Sequence, residues 1–203
     1  MVRTLFASVL ALALVGEVAH AQAPGGGYPS YGASPVAAAP ASHTVVLDVP
    51  HIPQDTDVWC WAAVSEMVIT YLSGTSPDQC RILEIGFGLH GQCCGNEWAC
   101  RTTGSFDQMA INVRYFAGGN TIGDGRMDER SVMGTLGSNM PIIAGLQSNP
   151  SMGHVVVIRG FRTSNLGLEL YVNDPLMQNP FWMTYAQFAT HWQQSLIVTG
   201  RVI

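Results

Sequence analysis

The sequence predicts one domain of the α+β class, with helices in its first part and strands in its second. Apolar residues recur at helical spacing after residue 60, whereas short β-branched or apolar runs bounded by Gly, Pro and Asn follow residue 140. Apolar residues make up 47% of the 203 residues and charged residues only 11%. A chain of this length and composition can bury a sizeable core, which excludes wholesale disorder.

The predicted elements follow from periodicity and from their flanking residues. Strands are expected at Thr44–Val49, Ile142–Leu146, Val155–Phe161, Leu168–Asn173 and Leu196–Ile203. Helices are expected at Cys60–Leu72, from Ser76 onwards, at Ser105–Ala117, at Asp128–Ser138 and near Tyr185–Trp192. Two of these helices follow capping boxes, formed by Ser76 with Gln79 and by Thr184 with Gln187.

The N-terminus is typical of an export signal. Arg3 precedes an apolar run of 11 residues, Leu5–Val15, and the small-x-small site Ala19-His20-Ala21 follows that run. The run is too short to span a bilayer, because a spanning helix needs about 20 apolar residues. We therefore predict a signal peptide over 1–21 and a periplasmic or secreted protein. Its cysteines would then meet an oxidising compartment.

The next segment, residues 22–43, differs from the rest in composition. Of its 22 residues, 17 are Gly, Pro, Ala or Ser, and none is charged. Such a stretch buries too little apolar surface to offset the entropy lost on ordering. A flexible spacer or a short pro-segment is therefore expected, and the structured domain is predicted over 44–203.

The charge of the chain narrows the classes of partner. The net charge is −5, and the nine basic residues, all Arg, form no cluster. Duplex nucleic acid and dense anionic membranes are therefore excluded as expected partners. The sequence does not determine an oligomeric state.

Four cysteines lie close together and predict a pair of disulfides. Cys80, Cys93, Cys94 and Cys100 fall within 21 residues of an exported chain. Adjacent cysteines rarely bridge each other, which leaves two connectivities: Cys80–Cys93 with Cys94–Cys100, which we prefer, or Cys80–Cys94 with Cys93–Cys100. A zinc site that includes His90 is the alternative, although the segment lacks paired CxxC knuckles.

The fifth cysteine, Cys60, is predicted at the start of a helix. Unsatisfied N–H groups there carry a partial positive charge, which favours the thiolate, the nucleophilic form of the side chain. A buried structural cysteine is the alternative interpretation. A catalytic role requires a base to exchange protons with the thiol and the leaving group.

Three further residues could complete a nucleophilic site. His154 leads into the buried run Val155–Ile158, and Asp174 ends the next predicted strand, so adjacent strands could bring an orienting carboxylate to the imidazole. Gln54 lies six residues before Cys60 and could donate to an oxyanion, together with the Cys60 amide. Taken singly, these residues are also typical of a structural histidine, an Asp-Pro turn and a loop. Their combination with Cys60 predicts a site for nucleophilic catalysis.

These residues resemble the papain-like cysteine peptidases, in particular the bacterial AvrRpt2-type and C39-like branches. The resemblance covers most of 47–192, and its specific segments are Gln54–Ala63, Gly153–Phe161 and Tyr171–Pro175. It implies a papain-like fold in which an N-terminal helical half carries Cys60 and a C-terminal antiparallel β half carries His154 and Asp174. The active site would lie in the cleft between the halves. Asp174 stands where plant papains have Asn; the bacterial branches accept Asp at this position.

The expected function is an exported cysteine peptidase that hydrolyses peptide or protein substrates through a Cys60–His154–Asp174 triad. Gln54 would be the oxyanion donor, and no metal or organic cofactor is expected. The alternatives are an inactive papain-like binding module and a related acyl-transfer or amidase activity. Three tryptophans have two interpretations each: Trp59 and Trp61 could be core anchors or cleft walls, and Trp182 could shield the His–Asp pair or simply be packed.

Overall fold

The structure of the protein, a computed structural model, describes residues 43–149 and 152–200. The predicted signal peptide and all of the predicted spacer except His43 lie outside the described residues. So does the end of the last predicted strand, residues 201–203.

The strands form one seven-stranded sheet in which every pairing is antiparallel. The strands are β1 (Thr44–Val46), β2 (Asn120–Gly125), β3 (Ile142–Asn149), β4 (Met152–Ser164), β5 (Gly167–Asn173), β6 (Phe181–Thr184) and β7 (Trp192–Thr199). Their order is β2-β7-β3-β4-β5-β6, with β1 paired to β4 beside this path. The sequence predicts neither β2 nor β6, because β2 is largely exposed and glycine-containing and β6 is only 4 residues long.

The helices precede most of the sheet along the chain. They are α1 (Cys60–Ser73), α2 (Gln79–Phe87), α3 (Phe106–Ala117), α4 (Glu129–Gly137) and α5 (Tyr185–Ala189), with a short 3-10 helix at Glu97–Cys100. Helix α5 ends before the predicted Trp192, which instead begins β7. No helix among the described residues has both the length and the apolar content needed to cross a membrane.

Capping explains where helices α3 and α5 begin; at α5 the Thr184 hydroxyl accepts the Gln187 backbone N–H. Ser105 and Gln108 form a reciprocal capping box at the start of α3. The capping box predicted for α2 is wrong. The Ser76 hydroxyl donates to Glu66, and the Gln79 amide group bonds the backbone of residues 53 and 55 instead of its own helix.

A single hydrophobic core joins the helices to the sheet and confirms the α+β class with its papain-like arrangement. Helix α1 packs against β4 and against α3. Fully or almost fully buried side chains from both layers meet there, among them Trp61, Met67, Ile69, Ile143, Val157 and Phe161. Burial of this kind contributes about 1.5–3 kcal/mol per large side chain. The core therefore holds the start of α1 at a fixed place over the sheet.

The disulfides have the second of the two connectivities. Cys80 pairs with Cys94, and Cys93 pairs with Cys100, so the preferred pairing of Cys80 with Cys93 is wrong. The 3-10 helix that ends at Cys100 folds back on Cys93, where the Asn96 amide donates to the Cys93 carbonyl. Because these four sulfurs are bonded to one another, they do not form the alternative zinc site.

A buried carboxylate organises this disulfide segment. Glu84, which is 1% exposed, accepts the amides of Cys93 at 2.9 Å and Cys94 at 3.3 Å, and Arg81 donates to it at 2.7 Å. The backbone bond from Cys93 and the guanidinium of Arg81 outweigh desolvation and lower the pKa of Glu84 from 4.5 to about 2. The segment is therefore fixed by an ionised side chain of α2 as well as by its disulfides.

Candidate active site

Cys60 is the first residue of α1 and the one cysteine outside the disulfides. Its backbone N–H has no acceptor within the helix, because the first N–H groups of any helix lack one. The half-buried side chain faces the cleft between the helices and the sheet. The partial positive charge of a helix N-terminus therefore acts on this sulfur.

Two tryptophans hold the start of α1 in place. Trp59 and Trp61 are 0% and 1% exposed, and their indole N–H groups donate to the carbonyls of Cys100 and Thr102. Both are thus core anchors, and Trp61 in addition lines the cleft. The segment 100–104, which leaves the second disulfide, is therefore attached directly to the turn that carries Cys60.

The imidazole of His154 lies on β4, opposite Leu146 of β3. Its Nε2 is 2.8 Å from Oδ1 of Asp174, the residue that follows β5, and both side chains are largely buried, 12% and 15% exposed. The Leu176 amide donates to the same carboxylate oxygen at 2.9 Å. The β4–β5 pairing thus brings the two residues together, as the sequence predicts.

Opposing effects set the charge of this histidine. Burial lowers the pKa of His154, but hydrogen bonds and charges from Asp174 and Cys60 raise it from 6.5 to about 9. Because Nε2 bonds Asp174, Nδ1 is the nitrogen that remains for Cys60. Burial also raises the pKa of Asp174, yet the hydrogen bonds from His154 and Leu176, together with the charges of His154 and His51, lower it overall. The imidazolium form of His154 is therefore favoured at neutral pH.

Gln54 lies on the chain just before α1 and lines the same cleft as Cys60 and His154. Its Nε2 donates one hydrogen to the Thr56 carbonyl at 2.5 Å, which leaves a second hydrogen for another acceptor. Its Oε1 is buried with no hydrogen-bond partner among the described residues. The four residues proposed from the sequence are therefore gathered at one place.

The cleft has a volume of about 930 Å³. Residues of the α1 and α3 starts form one side, and residues of β3, β4 and β7 form the other: Gln54, Asp57, Val58, Cys60, Trp61, Thr103, Gly104, Ser105, Phe106, Asp107, Met109, Gly145, Leu146, Gln147, Gly153, His154, Val155, Leu176, Gln193 and Gln194. Gly104 lies flat on the Trp61 ring, where a Cβ atom would come within 2.6 Å of Cε2. Only glycine fits there, and it lets this wall of the cleft pack directly against Trp61, the neighbour of Cys60.

Sequence reasoning missed several side chains that hold the site. Gln79 is 2% exposed and bridges the Pro53 carbonyl and the Asp55 amide, the neighbours of Gln54. Asn173 is 0% exposed and donates to the Pro50 carbonyl at 2.9 Å. Their partners are backbone atoms distant in sequence, so a motif cannot reveal them; adjacency to Asp174 is the one signal for Asn173.

Two other expectations concern aromatic and metal-binding groups. Trp182 stacks on Tyr171, with ring centroids 4.6 Å apart, beneath the Arg162 guanidinium, and it does not line the cleft, so its packing interpretation fits better than shielding of the His–Asp pair. Within residues 43–149 and 152–200, no group of three or more His, Cys, Asp or Glu side chains is placed to hold a metal ion.

Comparisons with known proteins relate the fold to a peptidase family. The model of the Peptidase_C39 like family matches residues 46–196. This family is the C39-like branch, one of the two bacterial branches that the sequence resembles. A search of curated proteins found no match.

Solved structures share the fold at low sequence identity. A C39-like peptidase from Bacillus anthracis has a TM-score of 0.53 and 16% identity, over 77% of this chain and 98% of that chain. The peptidase domain of Streptococcus ComA, a bifunctional ABC transporter involved in quorum sensing, has a TM-score of 0.53 and 17% identity. The match covers 74% of this chain and 97% of that chain. UfSP from C. elegans has a TM-score of 0.53 and 12% identity, over 80% of this chain but only 35% of that chain.

Proposed function

Because the chain belongs to the Peptidase_C39-like family, we propose that it is a cysteine peptidase that hydrolyses peptide bonds. Cys60 is the nucleophile, and His154 is the general acid and base. Asp174 orients the imidazole, and Gln54 donates to the oxyanion. The observation that carries this proposal is the position of the His154 ring, which is hydrogen-bonded to Asp174 through Nε2 and lines the same cleft as Cys60.

The first half of the reaction forms an acyl-enzyme. The Cys60 thiolate attacks the scissile carbonyl carbon, and the carbonyl oxygen takes up the negative charge. The Cys60 amide and the second Nε2 hydrogen of Gln54 bind this oxygen; one such donor contributes about 3–4 kcal/mol to the transition state. The tetrahedral adduct then breaks its C–N bond, and the imidazolium of His154 gives its proton to the departing amine.

The second half releases the acyl group. Neutral His154 now accepts a proton from a water molecule, whose oxygen attacks the thioester carbon. The C–S bond breaks, the peptide acid leaves, and the thiolate and imidazolium are restored. Asp174 keeps the ring in one orientation through both steps and stabilises its charged form.

We further propose that the protein is exported, as a periplasmic or secreted enzyme, after cleavage of residues 1–21. The two disulfides support this proposal, because such bonds persist in oxidising compartments. N-terminal sequencing of the mature protein from an expressing bacterium should begin at Gln22. Retention of Met1 in the purified extracellular or periplasmic fraction would contradict it.

The decisive test of the activity compares the purified protein with its Cys60→Ala variant on a diverse peptide mixture read by mass spectrometry. The wild type should produce new peptide acids and amines, and Cys60→Ala should produce none while keeping its circular dichroism spectrum. His90→Ala, an exposed histidine in the disulfide segment, is the matched control and should remain active. Equal cleavage by wild type and Cys60→Ala would contradict the proposal, and products joined to an added amine would indicate acyl transfer instead.

A further inference from the structure

The turn that carries Asp174 is attached to the chain before α1. Within the Asp174 turn (residues 174–177), the Met177 amide donates to the Asp174 carbonyl at 2.9 Å. Two residues outside the turn bond it. The backbone N–H of Gln54 donates to the Pro175 carbonyl at 3.1 Å, and Nε2 of His51 lies 2.9 Å from the Met177 carbonyl. The carboxylate and the oxyanion donor are thus on two segments that are bonded to each other.

One of these two attachments depends on a side chain. A carbonyl only accepts, so the His51 nitrogen that faces Met177 must carry a hydrogen. The other ring nitrogen, Nδ1, is buried without a hydrogen-bond partner among the described residues. A buried polar atom left in this state is unfavourable and calls for an explanation. Among the described residues, the contact with Met177 is therefore the one hydrogen bond that fixes this ring.

The direction of the positioning follows from what holds each segment. The chain around Gln54 is already fixed on its other side by Gln79, which bonds residues 53 and 55. Leu176 and Met177, by contrast, are 61% and 51% exposed, so packing does little to hold the turn. The bond from His51 therefore acts on the turn and, through it, on Asp174.

We infer that His51 is a positioning residue of the active site, whose ring N–H holds the Met177 carbonyl and thereby keeps the Asp174 carboxylate on His154. The inference rests on the proposed peptidase function and adds a residue that no motif identifies. His51 does not line the cleft, and the turn that it holds contributes only Leu176 to the lining, so the larger effect should fall on the catalytic step.

The test compares His51→Leu, which removes the donor, with His51→Gln, whose Nε2 can reach the same carbonyl; His90→Leu is the matched control. Loss of the bond should lower kcat roughly 10- to 100-fold and change KM by a smaller factor, as expected for a displaced catalytic group. His51→Gln should recover most of kcat, and His90→Leu should match the wild type. If His51→Leu does not fold, His51→Asn, whose amide is too short for Met177, replaces it.

A second measurement separates this inference from the peptidase proposal. The rate at which iodoacetamide alkylates Cys60 reports on its pairing with His154 and needs no peptide substrate. His51→Leu should slow alkylation, and His51→Gln should restore it, even if no peptide is cleaved by the wild type. Wild-type alkylation and kcat in a folded His51→Leu variant would overturn the inference, as would a His51→Gln variant no better than His51→Leu.

Discussion

His154 is subject to two effects of opposite sign, and the balance determines its charge at neutral pH. Its burial disfavours the imidazolium, while Asp174 and Cys60 favour it strongly enough to raise the pKa to about 9. The ring therefore keeps its proton well above the ordinary pKa of histidine. In the proposed mechanism this is the proton that the departing amine receives.

The raised pKa predicts how acylation depends on pH. The acylation rate should fall as the pH rises through about 9, because His154 then loses the proton it donates. A single-turnover experiment with a fluorogenic amide between pH 6 and 10 measures this rate. A rate that keeps rising beyond pH 9.5 contradicts the assignment.

The same shift also bears on folding stability. Since the folded pKa of His154 lies above 6.5, its contribution is complete below pH 6.5 and is lost as the pH rises through about 9. Thermal melts of the wild type should therefore show a falling midpoint over this window, and melts of His154→Gln should lack this component.

Two substitutions should rank the imidazole above the carboxylate. His154→Ala removes the acid–base group and should lower kcat/KM roughly 10²- to 10⁴-fold. Asp174→Ala should lower it less, because the imidazole that exchanges protons remains in the same cleft as Cys60. Steady-state kinetics of both variants give the order, and the reverse order means that the orienting group is another residue.

Elements were predictable where their own residues determine them. Helix α1 is found within one residue of its predicted bounds because its apolar spacing and the following Gly74 specify it. Helix α2 has the right neighbourhood but the wrong cap, since Ser76 and Gln79 bond partners elsewhere in the fold. Strand β2 carries no alternating pattern, and its pairing with β7 decides its structure.

The segment 100–104 provides a prediction about the cleft wall. Gly104→Ala forces a Cβ onto the buried ring of Trp61 and should lower the free energy of unfolding by about 1–3 kcal/mol. Gly134→Ala on α4 is the matched control, because open space surrounds that Cβ position and alanine favours a helix by about 0.8–1 kcal/mol. Urea unfolding should thus show changes of opposite sign in the free energy of unfolding of the two variants. Two equal changes would mean that the segment 100–104 moves away from Trp61 at no cost.

At the scale of the whole molecule, the sequence predicts the fold class and the gathering of Cys60, His154 and Asp174 at one cleft. Cys60 begins a strongly patterned helix, His154 lies near the start of a strongly patterned strand, and Asp174 directly follows another. The residues that support them could not be predicted in the same way. Gln79, Asn173 and His51 bond backbone atoms that only the folded chain brings near. The disulfide pairing likewise depends on where the chain turns back, which the spacing of cysteines does not specify.

Glu84 predicts how the stability of the domain depends on acid. Its folded pKa of about 2 lies below 4.5, so its contribution is complete above pH 4.5 and is lost as the pH falls towards 2. Glu84→Gln should be less stable than the wild type in urea at pH 7, and the difference should shrink at pH 3. The exposed Glu129→Gln variant is the control. A difference that stays constant with pH would rule out the charge of Glu84 as its source.

The anchoring of Trp59 and Trp61 to segment 100–104 has a practical consequence for anyone who handles this protein. One sulfur must stay reduced to react, while four others must stay oxidised so that the chain behind the nucleophile keeps its place. A strong dithiol, added routinely to protect thiol enzymes, would keep Cys60 reduced but would also reduce the two disulfides. Preparations should therefore be oxidatively refolded and then activated only briefly, with a weak monothiol.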